Sequence, residues 1–193
     1  MKLTYAGKFS GDVNDLPKAP PHANAVQFRE FDDPKKLAVF ANGVCILVLL
    51  VLFAGIFLRA GLRGLSLPGC ILPMLTLFPH ELLHAVCFRE RVWLYTNWKQ
   101  GMLFVVGPEE MSRARFVFMS LLPNLVFGAV PYVLFLIHPA WTVLGTMGAV
   151  CLSMGTGDYY NVFNALTQMP KGAKTYLDGF HSWWFLPETE EKG

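Results

Sequence analysis

Three residues in this chain have the types and spacing that one kind of chemistry needs. His80, Glu81 and His84 form a His-Glu-x-x-His run inside an apolar stretch, 65–88. On a helix, residues four apart share a face, so both imidazoles can offer a nitrogen to one zinc ion. Glu81 stands between them and can reach a water on that metal. Zinc lowers the pKa of such a water toward neutrality and polarises a carbonyl. The glutamate takes the proton from the water and later hands it to a leaving amine. The expected reaction is peptide hydrolysis. Ionisable groups are costly in an apolar span, which favours a working site over two satisfied core histidines.

A catalytic zinc usually has three protein ligands and an open position, so a third ligand must come from another segment. Asp158, in Gly155-Thr156-Gly157-Asp158-Tyr159-Tyr160-Asn161, leads the candidates. It is the only acidic residue in the apolar part of the third or fourth hydrophobic run. A hydrogen bond between helices, to a Tyr or an Asn, is the other use for such a carboxylate. Asp178, in Leu177-Asp178-Gly179, is the alternative, although its polar surroundings suit a turn. Glu90, Glu109, Glu110 and His181 lie near charged residues and are weaker candidates. An oxyanion would need a donor beside the metal. Asn161, one turn beyond Asp158, and Asn124 are candidates for that or for support behind the ligands. Each could equally be a packing polar between helices.

The elements that must position these groups read as membrane helices. Of the 193 residues, 53% are hydrophobic and only 16% charged. Apolar runs at 37–58, 65–88, 116–137 and 141–166 each reach bilayer length. Pro68, Pro73 and Pro79 interrupt the second, and a bend before His80 would open a water-accessible pocket. Between runs two and three, β-prone segments 92–96 and 102–106 flank turn residues 97–101, which predicts a hairpin. Its free edge could pair with an extended peptide. Pro108-Glu109-Glu110 reads as the first turn of a helix. The expected fold is therefore an all-α membrane protein of about four transmembrane helices, with a short β-hairpin between helices two and three.

Residues 1–36 are polar and proline-rich. They are expected to form a cytosolic, largely irregular arm, with Tyr5 to Phe9 at most a short strand. Residues 37–187 then make one integral membrane domain, and 188–193 a polar C-terminal tail. Trp183-Trp184-Phe185 suits an interfacial anchor. No removable signal peptide is expected. The four cysteines lie in apolar runs without CxxC spacing and read as small buried hydrophobes. Six basic residues precede the first run, two separate runs one and two, five separate two and three, none separates three and four, and three follow. The positive-inside rule then puts both termini in the cytosol. That orientation brings His80, His84 and Asp158 to a similar depth.

His80-Glu81-Leu82-Leu83-His84-Ala85 in a membrane helix, with Asp158 in a later one, resembles the site-2 protease type of intramembrane metalloprotease. The chain resembles more closely the family of small prokaryotic membrane proteins called putative zincin peptidases. That likeness runs from the second apolar run to the tail and includes Gly157-Asp158-Tyr159-Tyr160-Asn161 and Met169-Pro170-Lys171-Gly172-Ala173. It implies one Zn2+ per chain held by His80, His84 and Asp158, with Glu81 as general base. The classical site-2 pattern carries its aspartate in Leu-Asp-Gly, which here is Asp178. The expected partners are the lipid bilayer and a membrane-embedded or membrane-proximal peptide substrate, with no nucleic acid. The competing function is a non-catalytic membrane protein that uses the zinc site structurally, as an adaptor of other membrane proteins. With five histidines, the chain is too poor for a His-rich di-iron cluster.

Overall fold

The computed structural model describes residues 2–31, 33–97, 102–179 and 181–187. In chain order its elements are β1 (Lys2–Lys8), β2 (Val26–Gln27), α1 (Pro34–Ala60), α2 (Leu67–Val86), β3 (Arg91–Asn97), β4 (Met102–Val106), β5 (Met111–Ser112), α3 (Arg113–Pro123), a π-helical stretch (Asn124–Ala129), α4 (Val130–Ile137), α5 (Thr142–Met154), α6 (Thr156–Gln168), β6 (Lys174–Asp178) and β7 (His181–Phe185). They sort into two compact units. One gathers Met1–Glu30, His84–Met119 and Val162–Gly193; the other gathers Phe31–Leu83 and Ser120–Asn161.

The second unit is helical. Asp33 caps α1 by accepting the Lys35 N–H at 2.8 Å. Gly61, at φ +61°, ends the helix with a conformation that a side chain would disfavour. Small residues let the helices approach closely. A β-carbon on Gly148 would stand 2.6 Å from the Gly128 carbonyl oxygen, and one on Gly69 would stand 2.7 Å from that of Val143. Ile56, Tyr132, Phe135 and Ala149 form the core, with the Tyr132 hydroxyl donating to the Leu52 carbonyl at 2.9 Å.

Three helical stretches, Lys35–Gly64, Leu67–Val86 and Arg113–Ile137, are long and apolar enough to cross a membrane. By that measure the chain is a membrane protein. A fourth continuous span does not form. Residues 141–166 fall into α5 and α6, interrupted at Gly155. The 13 residues of α5 reach only about 20 Å at 1.5 Å per residue, short of the ~30 Å hydrocarbon layer.

The other unit overturns the all-α expectation with two sheets. In the first, β3 lies between β1, which runs parallel to it, and β4, which pairs antiparallel from Trp93↔Val106 to Asn97↔Met102. The expected strands do pair, but as part of a three-stranded sheet. Residues 98–101 of the expected turn lie outside the described residues. Most of residues 9–31 is irregular, but the N-terminal segment opens with a seven-residue strand, longer than the short one expected. Its partner is some ninety residues away, and its edge position asks for little apolar alternation, so its sequence reads as polar. The second sheet runs β2-β7-β6-β5, all antiparallel, and it absorbs the tail that read as an interfacial anchor. Its strands are two to five residues long, too short to leave a periodic signal. Phe88, Val92, Met111, Phe116, Met119 and Met169 are among the residues of this unit's main core.

Candidate metal centre

Helix α2 continues through Pro73 and Pro79 to Val86. Pro79 has no N–H to return to the Leu75 carbonyl, which loosens the helix one turn before His80. Ligand atoms of His80, Glu81 and His84 all lie within 4.8 Å of one another. The helix pitch alone brings them together, as their spacing predicts.

His84 is buried, and its Nδ1 lies 2.9 Å from the Met119 carbonyl oxygen. A carbonyl only accepts, so Nδ1 carries the proton. The neutral ring then keeps its lone pair on Nε2, the state a metal ligand requires. The C-terminal end of α2 is clasped by the next helix. Arg115 donates through Nε and one terminal nitrogen to the Cys87 carbonyl at 3.0 and 2.6 Å. Its other terminal nitrogen pairs with Glu109 at 2.6 Å. The second Glu109 oxygen accepts the backbone N–H groups of Arg89 and Glu90 at 2.7 and 2.8 Å. Burial pushes the Glu109 carboxyl up, but those N–H groups and the Arg115 guanidinium outweigh it and hold the pKa below the usual value. Glu109 is therefore not in a helix first turn: α3 begins four residues later, at Arg113.

Asp158 lies in the first turn of α6. Its Oδ2 is 3.3 Å from His80 Nε2. Two ligand atoms, each 2.0–2.1 Å from a tetrahedral zinc, stand about 3.3–3.4 Å apart. The pair thus has the separation of two ligands of one ion, and the donor set of imidazoles and a carboxylate suits zinc. Asn124, buried at the start of the π-helical stretch, donates its Nδ2 to the same Asp158 oxygen at 2.6 Å. The π character is explicit in the Val130 N–H, which bonds five residues back to the Leu125 carbonyl. Such irregular turns recur at functional sites.

The remaining sequence candidates stand apart in role. Asn161 makes no side-chain hydrogen bond among the described residues. Asp178 ends β6 opposite His181, at a turn where Gly179 has φ +63°. Glu110 binds His22 at 2.9 Å and Lys174 at 3.0 Å. His181 lies 3.7 Å from Glu30. Glu90 is exposed and lends its N–H to Glu109. Sequence reading missed the Met119 carbonyl and Tyr159, whose hydroxyl reaches both the Asn124 Oδ1 at 3.2 Å and the Leu152 carbonyl at 2.8 Å. A backbone acceptor leaves no trace in residue types. A tyrosine directly after a candidate ligand was the one signal available for Tyr159.

The family described as putative zincin peptidase matches residues 73–174, more than half of the chain. The matched stretch includes His80, Glu81, His84, Asn124 and Asp158 and stops before Asp178. No curated protein and no solved structure matches the chain.

Proposed function

Because the chain belongs to the putative zincin peptidase family, we propose that it is a zinc-dependent intramembrane peptidase. It hydrolyses peptide bonds of membrane-embedded or membrane-proximal substrates near the cytosolic face. The observation that carries this reading is the approach of Asp158 Oδ2, on α6, to within 3.3 Å of His80 Nε2, on the helix that also bears Glu81 and His84.

His80, His84 and Asp158 would hold the ion. Bound there, zinc supplies a positive charge that acidifies water and polarises a carbonyl. Glu81 orients the attacking water and takes its proton, then returns a proton to the departing amine. The Met119 carbonyl keeps the His84 proton on Nδ1 and the ring angle fixed. Asn124 is engaged with Asp158, which leaves Asn161 as the asparagine assigned to the developing oxyanion.

The distribution of positive charge supports the orientation. Twelve of the sixteen Lys and Arg residues belong to the unit with the sheets and both termini. Lys35 and Lys36 open α1, while only Arg59 and Arg63 lie around its far end. This pattern favours termini on the cytosolic side.

Metal content tests the site. Protein purified in detergent should carry close to one zinc per chain by elemental analysis. His80→Ala and Asp158→Ala should lose it, and Asp178→Ala should keep it. A well-folded wild type without metal under zinc-replete conditions would sink the reading.

A further inference from the structure

We propose that Asn124 is a positioning residue for the Asp158 carboxylate, and that residue 155 is glycine to make room for it. The inference rests on the reading of Asp158 as the third zinc ligand.

A carboxylate oxygen has two lone pairs in the plane of the group. The Asp158 oxygen that faces His80 Nε2 at 3.3 Å is the one that accepts from Asn124 Nδ2 at 2.6 Å. The amide thus selects which oxygen turns to His80 and occupies one of its lone pairs. Asn124 is itself held. Its side chain is buried, Nδ2 also reaches the Ser120 carbonyl at 3.3 Å, and Oδ1 receives the Tyr159 hydroxyl at 3.2 Å. A flipped amide would aim Oδ1 at a carboxylate, acceptor against acceptor, so the orientation is fixed by its neighbours.

Gly155 carries independent weight. Its backbone, at φ −73° and ψ 15°, is open to any residue. The glycine is therefore not needed for conformational freedom. A β-carbon there would fall 1.8 Å from Asn124 Oδ1 and 2.7 Å from its Cγ. The space left at position 155 is filled by the Asn124 amide.

The test uses full-length protein in detergent, with Co2+ alone as the probe. Its visible bands report coordination, and chelator competition gives its affinity. Wild type, Asn124→Ala, Gly155→Ala and Asp158→Ala are compared, with melting of the metal-free proteins as the control for folding. Losing support behind a metal ligand typically costs 10–100-fold in affinity. Asn124→Ala and Gly155→Ala should bind Co2+ weaker by that factor, with shifted bands, and Asp158→Ala should bind weaker still. Gly155→Ala keeps the amide but displaces it, and it serves alone if Asn124→Ala fails to fold. Wild-type affinity and spectrum in both variants, even with lowered melting temperatures, would overturn the positioning role and leave the zinc reading standing. Loss in Asn124→Ala alone would overturn the part assigned to Gly155. No Co2+ bound by wild type would remove the zinc reading and this inference with it.

Discussion

In the sheet-bearing unit, buried polar side chains mostly hold backbone. Glu109 caps two N–H groups, Arg115 grips the Cys87 carbonyl, Arg113 reaches the Met169 carbonyl and His84 binds that of Met119. In the helical unit several do the same, Tyr132 on the Leu52 carbonyl and Thr146 on that of Gly64, but one cluster converges on another side chain. His80 and Asn124 both meet Asp158, and Tyr159 backs Asn124. Helices there satisfy most of their own backbone, and side chains that meet one another rather than a carbonyl do little to support the scaffold. The first unit's polar groups are explained by the fold they support. The cluster around Asp158 is the part of the second that such support does not explain, and that is why the site can be read from it.

This contrast can be broken by substitution. The largest effect is expected at the reacting group. Glu81→Gln should lower cleavage of transmembrane-segment peptides by about 10²- to 10⁴-fold while zinc per chain stays unchanged. Retained activity would leave the zinc with a structural task only. Next comes Glu109→Gln, which strands the largely buried Arg115 guanidinium and should cost about 3 kcal/mol in denaturant unfolding. Its effect should fall on stability, and metal affinity measured well below the unfolding midpoint should not change. Because the Glu109 pKa is held below its ordinary value near 4.5, the stability it lends is present above that value. It is lost as pH falls through the lower folded value. The mutant should therefore show a weaker loss of stability on acidification than wild type.

Two smaller effects sharpen the comparison. Tyr159→Phe removes one hydroxyl that has two acceptors, Leu152 and Asn124, and should cost about 1 kcal/mol of stability. Weaker Co2+ binding in the same variant would tie Tyr159 to the ligand network. Glu30→Gln should have the opposite sign to Glu109→Gln. Burial raises the Glu30 pKa despite the Ser182 hydrogen bonds and nearby His181. The favourable contribution of protonated Glu30 is complete below the ordinary value and fades as pH rises through the folded one. At neutral pH the substitution should stabilise by less than about 1 kcal/mol, and the gain should vanish in acid. A destabilised mutant at pH 7 would contradict the assignment.

The grouping of His80, Glu81 and His84 was legible because helix pitch turns the spacing of the two histidines directly into proximity. Asp158 was legible because a lone carboxylate in an apolar run asks for a reason. The sheets were not legible. The β1–β3 pairing joins residues about ninety apart, and five of the seven strands have five residues or fewer. The unbroken fourth span was expected because hydropathy averages over Gly155 and cannot register the side chain that occupies its space. Glu109 was placed at a helix start by local preference, yet its partners lie six and about twenty residues away.

The π-helical stretch that begins at Asn124 has a consequence for how this chain tolerates change in length. A π turn takes in one more residue than an α turn. Everything beyond it is rotated by about 100° from where an uninterrupted helix would carry it. Deleting one residue between 125 and 129 would give a more regular helix, yet it would swing Tyr132 from the Leu52 carbonyl. In this segment a conservative substitution can pass while a single-codon deletion cannot, so the segment's length is constrained more tightly than its composition.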